Sequence, residues 1–262
     1  MKKKVRTRGD ALKPLNGTVT VKAPNPELIQ NTEIKDAFIA NLSHEIRTPM
    51  NAIMGFAQML KGTNLDEKQS DYVNVILESG QKLLIMINNL LDLSSLKLGK
   101  MHLNPKSCTP REMVNRLWNH FRPLIVAKNL RAYLKCQDDL HQVEVDTEKL
   151  ERVLSFIISN AIKFTNQGSI TLRCYTQPIK EGTALLHFEI EDTGVGIEAE
   201  QLSRIFDIFE QADNSITRPF PGMGLGLGLS HQIVKLLGGE IYARSTVGEG
   251  SCFHLMIPVK PL

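Results

Sequence analysis

The sequence predicts an α+β multidomain chain: a helical hairpin that dimerises into a four-helix bundle, followed by an α/β sandwich. Three observations predict it. Apolar residues recur on one helical face from Ile34 to Leu60, and again from Val73 to Leu91. Beyond Met101 the texture changes to alternating strands and helices. Polar and glycine-rich segments fall at the ends of those later elements.

Residues 1–26 carry Pro14, Gly17, Pro24 and Pro26 with little periodicity, and read as a linker or tail. The opening "MKKKVRTR" is a solvated basic tail, or a contact for anionic lipid or an acidic partner. No apolar core follows it, so it is not a secretory signal. No apolar run approaches the roughly 18 residues of a membrane helix. Cys108, Cys136, Cys174 and Cys252 lie far apart with no C-x-x-C, which suits a reducing cytoplasm and disfavours a disulfide framework or zinc site. A net charge of +3 with 6% aromatics leaves no basis for a nucleic-acid surface.

Residues 27–99 form the first domain. Ile34, Phe38, Leu42, Ile46, Met50, Ile53, Ala57 and Leu60 share one face, by steps of three and four. "KGTNLDEKQ" breaks the helix at Gly62 and offers Asp66 as the next N-cap. The second stripe holds Val73, Ile76, Leu83, Ile87, Leu90 and Leu91, and stops where Gly99 suits a C′ position. One hairpin cannot cover both stripes, whereas a homodimer can. The competing expectation is that the stripes dock on the C-terminal half of the chain.

Residues 101–262 form the second domain. "REMVNRLWNHFRPLIVAKN", "TEKLERVLSFIISNAIKFT", "AEQLSRIFDIF" and "LSHQIVKLLGG" read as helices. "LRAYLKC", "SITLRCYTQ", "ALLHFEIED", "EIYARST" and "SCFHLMIPV" read as strands. Together they make one mixed sheet with helices, the size of a single domain.

Four segments carry chemistry. "PGMGLGLGLS" feeds glycines 222, 224, 226 and 228 into a helix, whose free N–H groups suit phosphate. It lacks the Gly-Lys-Ser/Thr of a Walker A loop. "EDTGVGI" ends a strand at Asp192, a hydrogen-bond acceptor for an exocyclic amine; an ordinary strand-end turn is the other reading. "SNAIKFT" puts Asn160 and Lys163 on one helical face, suited to magnesium beside phosphate or to plain surface polarity. "SHEIRTP" opens like the zinc motif H-E-x-x-H, but Thr48 stands where the second histidine would be.

In this order, "SHEIRTP", "SNAIKFT", "DTGVGI", "IFDIFEQ" and "GLGLGLS" resemble the H, N, G1, F and G2 boxes of sensor histidine kinases. The resemblance covers about residues 30 to 260, and "QADNSITR" looks most like the hybrid-type branch. It implies a dimeric phosphotransfer hairpin and an ATP-binding sandwich of the Bergerat type. His44 would be the phosphoacceptor, Glu45 would hold or remove its proton, and Thr48 would serve a phosphatase activity. Asn160 would ligate Mg²⁺, Lys163 would meet phosphate, and Asp192 would read adenine between Gly194 and Gly196. Phe164, Ile197, Gly222, Gly224, Leu225, Gly226 and Leu227 would complete the ATP site. Phe206 and Phe209 would anchor a lid over residues 207–223. ATP, Mg²⁺, a second copy of the chain and a response regulator receiver domain are the implied cofactors and partners.

The family often has a second asparagine four residues before Asn160, where this chain has Phe156. Glu151 or Arg152 is then expected to help bind phosphate. Residues 1–26 are too short for a sensor domain, so an upstream sensor protein or a missing sensor region is expected to supply the signal. The acceptor aspartate is expected on another molecule. Two alternatives belong to other classes: a degenerate ATP-binding dimer acting as a scaffold, and a chaperone-type or mismatch-repair-type ATPase. The latter lack the H box.

Overall fold

The computed structural model describes residues 45–180, 182–207 and 225–262. All of them fall in one compact unit, Ile39–Leu262. Its helical part precedes an α/β part.

Helix α1 is described over residues 45–61 and runs through Pro49. Helix α2 spans Glu67–Lys97. Asp66 caps it as expected: Oδ1 accepts from the Gln69 N–H at 2.8 Å, and Gln69 Oε1 accepts from the Asp66 N–H at 3.1 Å. Such a reciprocal box contributes about 1 kcal/mol. At the other end Gly99 adopts φ +66, and its N–H donates to Leu96 while that of Lys100 donates to Ser95. These paired bonds satisfy carbonyls that the helix leaves open, and the positive φ favours glycine.

Seven strands follow: β1 Lys106–Cys108, β2 Arg131–Cys136, β3 Val143–Val145, β4 Ser169–Lys180, β5 Thr183–Asp192, β6 Glu240–Thr246 and β7 Gly250–Pro261. The sheet order is β1-β3-β7-β5-β4-β2, with β6 paired to β7. Only the β2–β4 pair is parallel; the others are antiparallel. The three-residue strands β1 and β3 are absent from the sequence expectation, because they are too short for a period of two to register.

Helices α3 Pro110–Ala127, α4 Thr147–Phe164 and α6 Leu225–Leu236 cover one face of the sheet. On α4, Leu150, Val153, Leu154, Ile157, Ile158 and Ala161 are buried, the spacing of one helical stripe. They meet Ile170 and Leu172 of β4 and Leu186, Phe188 and Ile190 of β5. Fully burying each large aliphatic side chain contributes about 1.5–3 kcal/mol. The expected helix after Gly196 is the short α5, Ala199–Leu202, followed by turns.

The hairpin stripes divide between two fates. Val73, Leu93 and Ala57 are buried, and α2 packs against α6. Ile53, Phe56, Met59, Ile76 and Leu83 stay exposed on the single chain.

Candidate functional site

The site is built where α4 ends and β5 ends side by side. Asp146 starts α4: its carboxylate accepts from the Lys149 N–H at 3.1 Å, the Lys149 ammonium at 2.7 Å and the Asn104 N–H at 2.8 Å. Burial opposes its ionised form, yet these donors prevail and hold its pKa below the usual value. Lys128 closes the other end. Its ammonium donates to the carbonyls of Ile162 at 2.6 Å, Lys163 at 3.2 Å and Thr165 at 2.9 Å. A cation there satisfies open carbonyls and complements the helix dipole. This fixes the turn that carries Asn160, Lys163 and Phe164. The Lys163 ammonium lies over the Phe164 ring, 4.8 Å from its centre.

Strand alternation aims Asp192 inward. Ala184, Leu186, Phe188 and Ile190 occupy the core-facing positions of β5, and Asp192 is next in that series. A carboxylate thus stands at the end of an apolar row, 6% exposed. Burial raises its pKa, against the N–H donors of Gly194 and Ser251. The Gly194 N–H reaches Oδ1 at 2.8 Å. The buried Thr165 hydroxyl stands beside the same carboxylate and also opposes the rise.

Glycine is required on this rim. A Cβ at Gly194 would stand 2.6 Å from the Phe164 carbonyl oxygen. Gly196 has φ +73, and a Cβ there would stand 2.1 Å from the Thr246 carbonyl oxygen. Two serines brace the loop. The Ile197 N–H donates to Ser245 Oγ at 2.8 Å, and that hydroxyl donates to the Gly250 carbonyl at 2.8 Å. Ser251, the register partner of Asp192, lies 2.9 Å from Ser245, oxygen to oxygen. Lys128, Thr165, Ser245 and Ser251 are the contributors that sequence reasoning missed. Thr165 closes the SNAIKFT segment, whereas Lys128, Ser245 and Ser251 lie outside the motifs and only chain folding brings them in.

Helix α6 forms the third wall. Gly226 is buried against Phe156 of α4, and Leu227 packs at the edge of the core. Leu225 is the first residue of α6. The Phe206 ring centre lies 5.5 Å from that of His231 and 6.4 Å from that of Phe253. Arg152 lines a cavity together with Phe156, Ser159 and Gly226. Glu151 accepts from Arg116 at 2.5 Å, and Arg152 is paired with Asp92 and Asn89 of α2. Both side chains are thus tied to neighbouring helices.

His44, Phe209, Gly222 and Gly224 lie outside the described residues. Glu45 and Thr48 are exposed on α1, where their spacing to His44 would put Thr48 one turn away. The described residues hold no cluster of three acidic, histidine or cysteine side chains suited to a metal. The donor that fits Mg²⁺ is the neutral oxygen of Asn160; the remaining ligands would be phosphate oxygens and water.

Comparison with known proteins agrees with this geometry. Residues 34–99 match the His Kinase A (phospho-acceptor) domain family. Residues 145–261 match the histidine kinase-, DNA gyrase B- and HSP90-like ATPase family. The sensor protein GacS of Pseudomonas syringae pv. syringae is 37% identical over 232 residues, which are 88% of this chain and 26% of that protein. The autoinducer 2 sensor kinase/phosphatase LuxQ of Vibrio cholerae is 35% identical over 91% of this chain and 28% of its own length. The chain therefore spans about a quarter of the length of these relatives. The crystal structure of full-length ShkA in complex with AMPPNP superposes with a TM-score of 0.73 at 28% identity, covering 86% of this chain and 46% of that one. A helical phosphoacceptor domain joined to an α/β ATP-binding domain, matched in sequence and in fold, makes this chain a member of the two-component sensor histidine kinase family.

Proposed function

We propose that this chain autophosphorylates His44 from ATP and passes the phosphoryl group to an aspartate on a response regulator receiver domain. The observation that carries the reading is the buried Asp192 carboxylate, with the buried Thr165 hydroxyl beside it and a side-chain-free rim at Gly194 and Gly196. Asp192 accepts the exocyclic amine of adenine, and the two glycines let the planar base lie against the backbone. Phe164 and Ile197 flank the ring. Lys163 meets the phosphates, with Gly222, Gly224, Leu225, Gly226 and Leu227 at their other side. Asn160 would hold magnesium, which would supply charge neutralisation at the phosphates.

The nucleophile is neutral imidazole. An unperturbed histidine, with pKa about 6.5, is mostly neutral near pH 7. Nε2 of His44 attacks the γ-phosphorus in line as the bond from that phosphorus to the bridging oxygen breaks and ADP leaves, while Glu45 orients Nδ1–H and takes up its proton. The rest is positioning and charge stabilisation, the usual burden of a phosphoryl-transfer site. Thr48, one turn from His44, would place water for hydrolysis of the regulator's phospho-aspartate. Pro49 removes one helix hydrogen bond next to Glu45 and gives α1 a place to bend between partners.

The chain is divided into a tail at 1–26, a dimerisation and phosphotransfer domain at 27–99, and a catalytic domain at 101–262. Homodimerisation is supported by the exposed apolar faces of α1 and α2: Phe56 and Met59 are 69% and 70% exposed, and a four-helix bundle would bury them. No described helix is long and apolar enough to cross a membrane. The test is incubation with γ-labelled ATP, followed by addition of receiver domains. Acid-labile label that moves to a receiver aspartate supports the reading; ATP binding without label favours the scaffold alternative.

A further inference from the structure

Two cysteines unused by the phosphoryl chemistry stand side by side in the sheet. Cys136 closes the edge strand β2, and Cys174 is its register partner in β4. Neighbouring strands run about 4.8 Å apart, inside the roughly 4.4–6.8 Å between Cα atoms that a disulfide accepts. Leu134 and Leu172, two residues earlier on each strand, face the core, and the period of two turns both cysteines the same way. Each of the two thiols shifts the pKa of the other, and all four cysteines of the chain are free.

Their surroundings differ. Cys174 is 1% exposed, whereas Cys136 is half-buried at a strand end. The Arg111 guanidinium stands at that end: it donates to the Cys136 carbonyl at 3.4 Å, the Gln137 carbonyl at 2.5 Å and Asp138 Oδ1 at 3.1 Å. The neighbouring Cys174 thiol, helped by Arg111, lowers the Cys136 thiol to about 7 against the effect of burial. The Cys136 thiol, together with burial, pushes Cys174 far up. A thiolate present at neutral pH, half-open to solvent, is the reactive form. The strand ends are also tied: the Gln137 N–H donates to the Cys174 carbonyl at 2.9 Å, and its side-chain oxygen accepts from the Thr176 N–H at 2.9 Å.

We propose that Cys136 and Cys174 form an oxidisable dithiol, a modification site for a peroxide, with Cys136 attacking and Cys174 resolving. The Cys136 thiolate attacks one oxygen of hydrogen peroxide. The O–O bond breaks, and the departing hydroxide takes a proton to become water. Cys136 is now a sulfenic acid. The Cys174 sulfur attacks the Cys136 sulfur, the S–O bond breaks, and the hydroxyl leaves with the Cys174 proton as a second water. The two thiols are oxidised to one disulfide, and the peroxide is reduced to two waters. Register pairing lets the bond close without a strand sliding. This reversible pair differs from a structural framework, which the scattered spacing of the cysteines argues against.

The test treats the full chain with hydrogen peroxide, blocks remaining thiols, and reads intact mass and linked peptides. Loss of two hydrogens, a Cys136–Cys174 linked peptide, and reversal by dithiothreitol are expected. Cys174→Ser should accumulate a dimedone-reactive sulfenic acid at Cys136, and Cys136→Ser should show neither product. Cys252→Ser should behave as the unsubstituted chain. No mass loss, or a linked peptide that joins Cys108 or Cys252 instead, overturns the proposal. The peptide map of the unsubstituted chain decides the matter even if a serine variant does not fold.

Discussion

The ring of Phe156 fills the space where a side chain at Gly226 would stand: a Cβ there would come 1.7 Å from Phe156 Cζ. The substitution of phenylalanine for the family's frequent asparagine is thus coupled to a glycine on α6. Gly226→Ala should destabilise the domain by about 1–3 kcal/mol through overpacking. The loss should be smaller when Phe156→Ala is also present. Urea unfolding of the single and double variants measures the coupling.

Asp192 is expected to trade stability for binding. Burial raises its pKa, so the folded state holds the proton more tightly than the unfolded chain. Its contribution is best below the unfolded value of 3.8 and declines as pH rises through the higher folded value. Asp192→Asn removes that penalty while keeping the shape. Calorimetry at neutral pH should give a Tm equal to or above that of the unsubstituted chain, whereas ATP affinity should fall by about 100-fold or more, the cost of an unpaired buried contact.

Asp146 has the opposite sign. Its pKa is lowered, because the donors from Lys149 and Asn104 outweigh burial. Its stabilising contribution is complete above the unfolded value of 3.8 and is lost as pH falls through the lower folded value. Asp146→Ala should cost about 1–2 kcal/mol at neutral pH. The gap to the unsubstituted chain should narrow in acid, as read by denaturant midpoints across pH.

Arg152 pairs with Asp92 across the junction of α4 and α2, and donates to Asn89 at 2.9 Å. Both side chains of the pair are partly exposed, so the coupling should be about 0.2–1 kcal/mol. A double-mutant cycle of Arg152→Ala and Asp92→Ala, read by thermal unfolding, should give that value. Strict additivity would show that the pair contributes nothing to this junction.

Legibility of the sequence followed the range of each interaction. Asp66, Gly99 and the helix α4 are local signals, and each stands where the sequence indicates. Asp192 and Gly194 lie in one motif, so their contact was also readable. Lys128 caps α4 from 34 to 37 residues away, and Ser245 braces Ile197 from 48 residues away. No periodicity encodes such pairs. The pairing of Arg152 with Asp92 and Asn89 of α2 is likewise remote in sequence.

Incorporation of label from γ-labelled ATP into the unsubstituted chain and into His44→Gln tests the central claim most directly. The account predicts acid-labile label on the unsubstituted chain and none on His44→Gln, with ATP affinity alike in both. Equal labelling of His44→Gln would contradict it.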